Sequence, residues 1–432
     1  MQVFEQWESN IRAYSRTAPT VFSTASNARQ VDEQGKVYID FFAGAGVLNF
    51  GHNNPRMKRA IIDYIEHDGI THSLDMYTTA KRAFIQAFVE TILKPRQMNY
   101  KLQFPGPTGT NAVELALKLA RRVTGRTEIV AFSQGFHGMT LGALACTANH
   151  HFRKVSGVPL NNVTHVPFET HQGGGLDNLA TLHSLYSNSS SGCELPAAFI
   201  VETVQGEGGI NVASAEWLQA VQALAHDLGA LLIVDDIQMG CGRTGSYFSF
   251  DGMGIDPDIV CLSKGIGGFG TPLAMNLLKP EHDAYWQAGE HTGTFRGQNI
   301  SFIAGREALR YFENEEFNTQ TLERGAMIRQ HLQKIAAHYP AHAFEVRGRG
   351  MVYGLDVGDV DIAKAINKQC FDKGLLISLC GVGGSVVKII PPLTIPQEDL
   401  VQGLDYLAEA VAAVMQFREN AYAERYLEIH HG

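Results

Sequence analysis

Short β-rich runs recur between about residues 100 and 280: KLQF (101–104), EIVAF (128–132), AAFIVET (197–203), ALLIVDD (230–236) and DIVCLSK (258–264), with helical patterns between them. Strands with little polar alternation must be covered on both faces, which is the condition of a mostly parallel sheet between helix layers. After GPTGTN, residues Ala112, Leu115, Ala116, Leu119, Ala120 and Val123 form one apolar helical stripe. A strand follows it, as a βαβ unit requires. The expected fold class is α/β.

The chain has 432 residues, room for two to three domains at about 150 residues each. From about residue 320 the helical patterns LERGAMIRQHLQKIAAHY and QEDLVQGLDYLAEAVAAVMQF surround strand-like VYGLDV, which predicts a smaller α+β domain. The first 50 to 60 residues are too few for a core of their own. The expected organisation is a segment 1–60 packing on the small domain, a large domain 61–319 and a small domain 320–432. The polar stretches HQGGGLDN (171–178) and SNSSSG (187–192) read as surface loops. With 45% hydrophobic and 18% charged residues the chain is ordered and globular. Its net charge of −9 gives no footprint for nucleic acid or an anionic membrane, so the expected partners are small molecules or other subunits. No apolar run approaches the roughly 20 residues that cross a bilayer. The start, MQVFEQWESNIRAYSR, lacks the basic-then-apolar order of a signal peptide, so a cytoplasmic location is expected. The six cysteines form no CxxC pair and no cluster with histidines, so neither a disulfide framework nor a metal site is expected.

In an open α/β sheet the ligand sits beyond the carboxyl ends of the strands, so the residues after each run carry the information. KLQF is followed by Pro105-Gly106-Pro107-Thr108-Gly109-Thr110-Asn111 and the helix, a loop able to hold a phosphate on backbone N–H groups. It equally fits a helix capped by Thr108 or Thr110 without any ligand. EIVAF leads to Gln134-Gly135-Phe136-His137-Gly138, where Phe136 can stack on a flat ring or pack into the core. ALLIVDD ends in Asp235 and Asp236, with Gln238 beyond. Strand alternation sends the two aspartates to opposite faces. One is expected to meet a cation or ligand and the other solvent or the helix layer; two solvated capping carboxylates are the alternative. DIVCLSK ends in Lys264 before glycines: either a partly desolvated amine with a lowered pKa or a solvated turn. A phosphate cradle, an aromatic platform, a strand-end carboxylate and a strand-end lysine together match what pyridoxal 5′-phosphate requires, with Lys264 forming the Schiff base and Asp235 pairing with the pyridine nitrogen.

YIDFFAGAGVLNFGHNNP, GPTGTNAVELALK, GFHGMT, VETVQGEGG, IVDDIQMGCGRTG, PDIVCLSKGIGG and HTGTFRGQN occur in this order. On these motifs the chain resembles the class III (omega) aminotransferases of pyridoxal-phosphate fold type I from about Tyr14 to Phe417. The resemblance implies a large cofactor-binding domain with a mostly parallel sheet, a small domain built from both chain ends, and a homodimer with active sites at the subunit interface, with higher assembly left open. It implies Lys264 as the Schiff-base lysine, Asp235 at the pyridine nitrogen, Gln238 near the ring hydroxyl, and Phe136 and His137 beside the ring. Thr108, Gly109 and Thr110 fall at the phosphate, with Thr294 supplied by the other subunit. Glu202 falls at an acidic position of the site, and Glu207 gates the substrate pocket. Where glutamate-using members often carry arginines, this chain has Met139 and Lys388. A lysine cannot clamp a carboxylate bidentately, which leaves Arg296 and Arg243 as further candidates. These departures, with GITHSLDMYTTAKRAF, GEHTGTFRGQN and VVKIIPPLTI, are similar to the branch that moves the 4-amino group of L-2,4-diaminobutyrate to 2-oxoglutarate in ectoine biosynthesis. The alternatives are an omega-aminotransferase of ornithine or 4-aminobutyrate, or a 2,1-aminomutase on the same scaffold.

Overall fold

The computed structural model describes residues 1–431; Gly432, the end of the expected 320–432 unit, lies outside the described residues. The main sheet has seven strands: β1 (Lys101–Gln103), β2 (Ile129–Phe132), β3 (Val163–Val166), β4 (Ala198–Val201), β5 (Leu231–Asp235), β6 (Ile259–Leu262) and β7 (Met275–Leu278). Their order is β1-β7-β6-β5-β4-β2-β3, parallel from β6 through β3, with β7 antiparallel to both its neighbours. Every residue of β2, β4, β5, β6 and β7 is buried. That is the two-sided burial their unbroken apolar sequence demands.

Helix α1 (Gly109–Thr124) follows β1 and returns the chain to β2. Its buried face is wider than the single stripe expected, because Val113 and Leu117 are buried with the stripe residues, whereas Val123 is only partly covered. Gly125 ends it at φ +68°, a left-handed position where a side chain would add strain.

The N-terminal strands Phe22–Ser26, Arg29–Asp32 and Val37–Asp40 form an antiparallel meander, extended by Leu375–Leu376 lying parallel to Val37–Asp40. Residues from the two ends of the chain therefore share one sheet. A second antiparallel sheet, Glu345–Arg349, Val352–Asp356, Val386–Ile389 and Ser378–Cys380, packs with helices Glu316–His338 and Val360–Lys373. Among the described residues no helix is long and apolar enough to cross a membrane. The six cysteines are unpaired, only Cys193 being exposed, and no metal-ligating cluster occurs among the described residues. The carboxyl ends of β1, β2, β4, β5 and β6 point to one edge, and Lys388, on strand Val386–Ile389, faces that edge from the second sheet.

Candidate active site

The two aspartates that close β5 lie in different surroundings, and neither is solvated: Asp235 is 5% exposed and Asp236 1%. Asp235 Oδ2 lies 2.7 Å from His137 Nδ1, and its Oδ1 accepts the backbone N–H of Ile237 at 3.2 Å. Burial alone would lower the His137 pKa, but the hydrogen bond and charge of Asp235 outweigh it, and the value is raised. The neighbouring carboxylate thereby favours the charged form of the imidazole. Beside this pair, burial pushes Glu202 up to about 7, while its oxygens accept the N–H groups of Phe136 (3.0 Å) and Gly206 (3.1 Å). Asp236, on the opposite face, is driven by burial to about 8 and accepts the Ser249 N–H at 3.1 and 3.3 Å. Of the two settings expected for the second aspartate, solvent or the helix layer, burial excludes solvent: Asp236 is enclosed by the segment around Ser249.

Lys264 follows β6 with φ +50°, a left-handed backbone that costs a non-glycine residue about 1–3 kcal/mol and is typical of functional positions. It is half-buried, and its side-chain amine, among the described residues, makes no hydrogen bond or ion pair. Burial brings its pKa down to about 8, with Glu207 pulling upward and Lys388 pushing down. This is a desolvated amine, not a solvated turn.

A third group lies on the other side of Lys264. Lys388 Nζ donates to Glu207 Oε1 at 2.7 Å and to Gln238 Oε1 at 2.8 Å, while Gln238 Nε2 donates to Glu207 Oε1 (3.1 Å) and to the Ala45 carbonyl (3.0 Å). Burial would raise Glu207, but Lys388 and Lys264 hold it at about 2; burial would lower Lys388, but Glu207 raises it. A Cβ at Gly206 would sit 1.8 Å from Gln238 Oε1, so the glycine there makes room for this amide.

Thr108 precedes α1 without capping it, since its hydroxyl accepts from Asn111 Nδ2 at 2.7 Å. The Thr110 hydroxyl pairs with Thr140 at 2.6 Å, and Thr140 in turn donates to Glu114. The N-terminus of a 16-residue helix thus faces the strand ends without a side-chain acceptor, an arrangement suited to an anion. A Cβ at Gly109 would lie 3.0 Å from Ile237; the missing side chain lets the loop approach the end of β5. Phe136 is not packed into the core: with Phe152, Asn149, Glu207 and Gly381 it lines a cavity of about 300 Å³.

Other expected residues fall elsewhere. Thr294 is exposed, its carbonyl accepting from His72 Nε2 at 2.8 Å, and it is not joined by any hydrogen bond to Thr108–Thr110 of the same chain. Met139 is 48% exposed. Arg243 is fully buried and spends its guanidinium on the carbonyls of Met351 (3.1 Å) and Pro391 (2.5 Å) and on Asn49 (2.7 Å). This removes it as a substrate ligand. Arg296 pairs with Asp75 and with the His291 carbonyl. The sequence reading missed three contacts: His137 against Asp235, Gln238 on Ala45, and Thr140 beside Thr110. The quoted motifs GFHGMT and FFAGAG contain His137, Thr140 and Ala45 but carry no sign of which partner each takes.

The family model described as aminotransferase class III matches residues 12–411. The chain belongs to the class III aminotransferases. It is similar to the diaminobutyrate–2-oxoglutarate transaminase of Halalkalibacterium halodurans, at 51% identity over 97% of this chain and 98% of that one. Proteins of the same name from Streptomyces anulatus (53% identity; 95% and 97%) and Halomonas elongata (50%; 94% and 97%) are similarly related. Among solved structures it is similar in fold to an S-selective transaminase from Bacillus megaterium (TM-score 0.85, 23% identity, 96% of this chain and 97% of that one). It is likewise similar in fold to an ornithine aminotransferase from Toxoplasma gondii with partial occupancy of PLP at its active site (TM-score 0.83, 24% identity, 97% and 95%). Class III aminotransferases use pyridoxal 5′-phosphate, and the residues here fit that group. An uncapped helix N-terminus suits a phosphate, and an unpartnered, desolvated amine at Lys264 suits an aldehyde carbon.

Proposed function

We propose that this aminotransferase moves the 4-amino group of L-2,4-diaminobutyrate to 2-oxoglutarate, giving L-aspartate 4-semialdehyde and L-glutamate, reversibly and in the cytoplasm, with the ectoine pathway running toward diaminobutyrate. The observation that carries the substrate is the 51% identity, over nearly the full length of both chains, with a transaminase of that name.

Bound pyridoxal 5′-phosphate supplies a carbonyl that condenses with amines and a ring that stabilises negative charge on the adjacent carbon. The protein's part is to hold that group and move protons. Thr108, Gly109 and Thr110 hold the phosphate, together with Thr294 from a second copy of the chain. With the cofactor bound, Phe136 would stack on the ring, Gln238 would lie beside its hydroxyl, and Asp235, fixed by His137, would pair with the ring nitrogen. Glu202 ties the Phe136 segment to the turn at Gly206 through one backbone amide of each. Lys264 is the tether. With the cofactor bound, the freed Lys264 Nζ, its pKa brought down to about 8, would take the proton from the substrate carbon that bears nitrogen and deliver it to the cofactor carbon that Lys264 had held, and the reverse in the opposite direction. A base near the working pH is the efficient choice for both directions. Lys388 receives a substrate carboxylate and Glu207 the 2-ammonium group of diaminobutyrate; both are released from their mutual pair when substrate enters. A homodimer is supported by Leu74, Met76, Tyr77 and Phe295, which leave large apolar surface exposed around the segment that holds Thr294.

The test is the absorbance of the cofactor-loaded enzyme mixed separately with L-2,4-diaminobutyrate, ornithine and 4-aminobutyrate, followed by 2-oxoglutarate. Diaminobutyrate should convert the cofactor fastest, and 2-oxoglutarate should restore it. Faster conversion by either other amine overturns the substrate, and turnover of diaminobutyrate to an isomer without added oxo acid points to a mutase.

A further inference from the structure

In FFAGAG, residues Ala43, Gly44, Ala45 and Gly46 take φ values of +48°, +58°, +58° and +87°. Two of these four consecutive left-handed residues carry a Cβ that resists the conformation. The surroundings must therefore impose it, and Asp40 does so. Its fully buried carboxylate accepts the N–H groups of Phe42 (2.8 Å) and Ala43 (2.7 Å) on one oxygen and meets His52 Nε2 (2.8 Å) and Gln30 Nε2 (3.0 Å) on the other.

The turn aims the Ala45 carbonyl at Gln238 Nε2, 3.0 Å away. With the amide reversed, its oxygen would face two acceptors, Ala45 O and Glu207 Oε1, and its NH₂ would face the Lys388 ammonium. Of its three partners only Ala45 O is backbone, so neither titration nor an entering substrate can remove it. Gly46 adds to the restraint: a Cβ there would lie 3.2 Å from Ile390 Cδ1 and 3.5 Å from Gln238 Cγ.

We propose that the left-handed turn Ala43–Gly46, locked by Asp40 and His52, is the positioning element of the substrate-carboxylate site. It holds the Gln238 amide oriented toward Lys388 so that an arriving carboxylate displaces Glu207 and not Gln238. This rests on the reading that Lys388 receives the substrate carboxylate. Asp40 and His52 are positioning residues: they touch neither substrate nor cofactor and act through backbone and amide.

The experiment compares full-length, cofactor-loaded wild type with Asp40→Ala, and with Gly46→Ala as a second perturbation that leaves Asp40 in place should Asp40→Ala not fold. Three ligands are titrated: 2-oxoglutarate, L-2,4-diaminobutyrate and 1,3-diaminopropane, the last being diaminobutyrate without its carboxylate. Either variant should raise KM for the two carboxylate substrates about tenfold while changing kcat for all three, and KM for 1,3-diaminopropane, less than threefold, the small shared shift being what Gln238's place beside the ring hydroxyl allows. A general structural role would not separate the ligands in this way. A folded variant whose KM values stay within twofold of wild type, or whose 1,3-diaminopropane KM rises in parallel, overturns the proposal. If wild type itself fails to couple diaminobutyrate to 2-oxoglutarate, it is the functional reading that has failed, which the variants do not affect.

Discussion

Replacing Lys388 with methionine keeps its approximate length and removes its charge, which isolates what that charge does for a substrate carboxylate. A hydrogen bond to a charged group contributes about 1.5–3 kcal/mol, which at about 1.4 kcal/mol per tenfold in rate is roughly 10- to 150-fold in kcat/KM. The structure places the effect toward the lower end. In the resting site Lys388 already holds Glu207 and Gln238 at 2.7 and 2.8 Å, so a substrate carboxylate gains only the difference between itself and Glu207. Water screens little of this, because the Lys388 side chain is 1% exposed, although Glu207 retains 30%. The assay is a cycle: the amine half-reaction is followed by cofactor absorbance for diaminobutyrate and for 1,3-diaminopropane, in wild type and in Lys388→Met. If Lys388 binds the carboxylate, the preference of wild type for diaminobutyrate should fall about tenfold or more in the variant while the 1,3-diaminopropane rate holds. An equal preference in both proteins would refute the assignment. Removing one member of a buried pair costs about 3–5 kcal/mol when both are dry. Circular dichroism of the variant must therefore match wild type before its rates are compared.

What could be read in the sequence follows from how local its physical cause is. Four of the five sheet strands found there are continuous apolar runs, KLQF being the exception, and Asp235 and Lys264 stood out because each is a polar residue ending such a run. Two sheet strands escaped. β3 is an edge strand whose Thr164 and His165 keep some exposure, so it lacks an apolar signature. β7 carries a buried Asn276, which is tolerated because its amide donates to the Ala112 carbonyl at 2.9 Å, a partner from another element. Site contacts were hidden for the same reason: His137 and Asp235 are 98 residues apart in sequence, and Glu207 and Lys388 are 181. The resemblance supplied the roles of these residues but not their contacts with one another. FFAGAG misleads local reasoning outright, since alanine favours right-handed helix and the left-handed turn exists only because Asp40 and the packing around Ala43 enforce it. Arg243, in a glycine-rich loop, read as available to substrate; burial brings its pKa down to about 9, and it serves instead to join that loop to the Met351 and Pro391 backbone.

Lys264→Ala should abolish turnover and the cofactor absorbance of the wild type while leaving the circular dichroism spectrum unchanged; appreciable turnover would remove Lys264 from its role. Co-refolding Lys264→Ala with Thr294→Ala, a change expected to weaken cofactor retention about tenfold through one lost hydrogen bond to a charged group, should give hybrids with one intact site, and no gain over the separate variants would count against a shared phosphate site. Asp236→Asn probes the other strand-end carboxyl, which the proposed mechanism does not use. Burial pushes its pKa up to about 8, far above the ordinary aspartate value, so the folded protein retains a proton that the unfolded chain gives up. The stability this group contributes is present in full below about pH 4 and is lost as pH rises toward 8, at about 1.4 kcal/mol per pH unit. Asparagine cannot ionise and escapes that loss, so the melting temperature of Asp236→Asn relative to wild type should climb between pH 5 and pH 8 and level off above it. A difference that stays flat across this range would show that Asp236 is ionised in the native state, and that burial beside Ser249 does not control its charge.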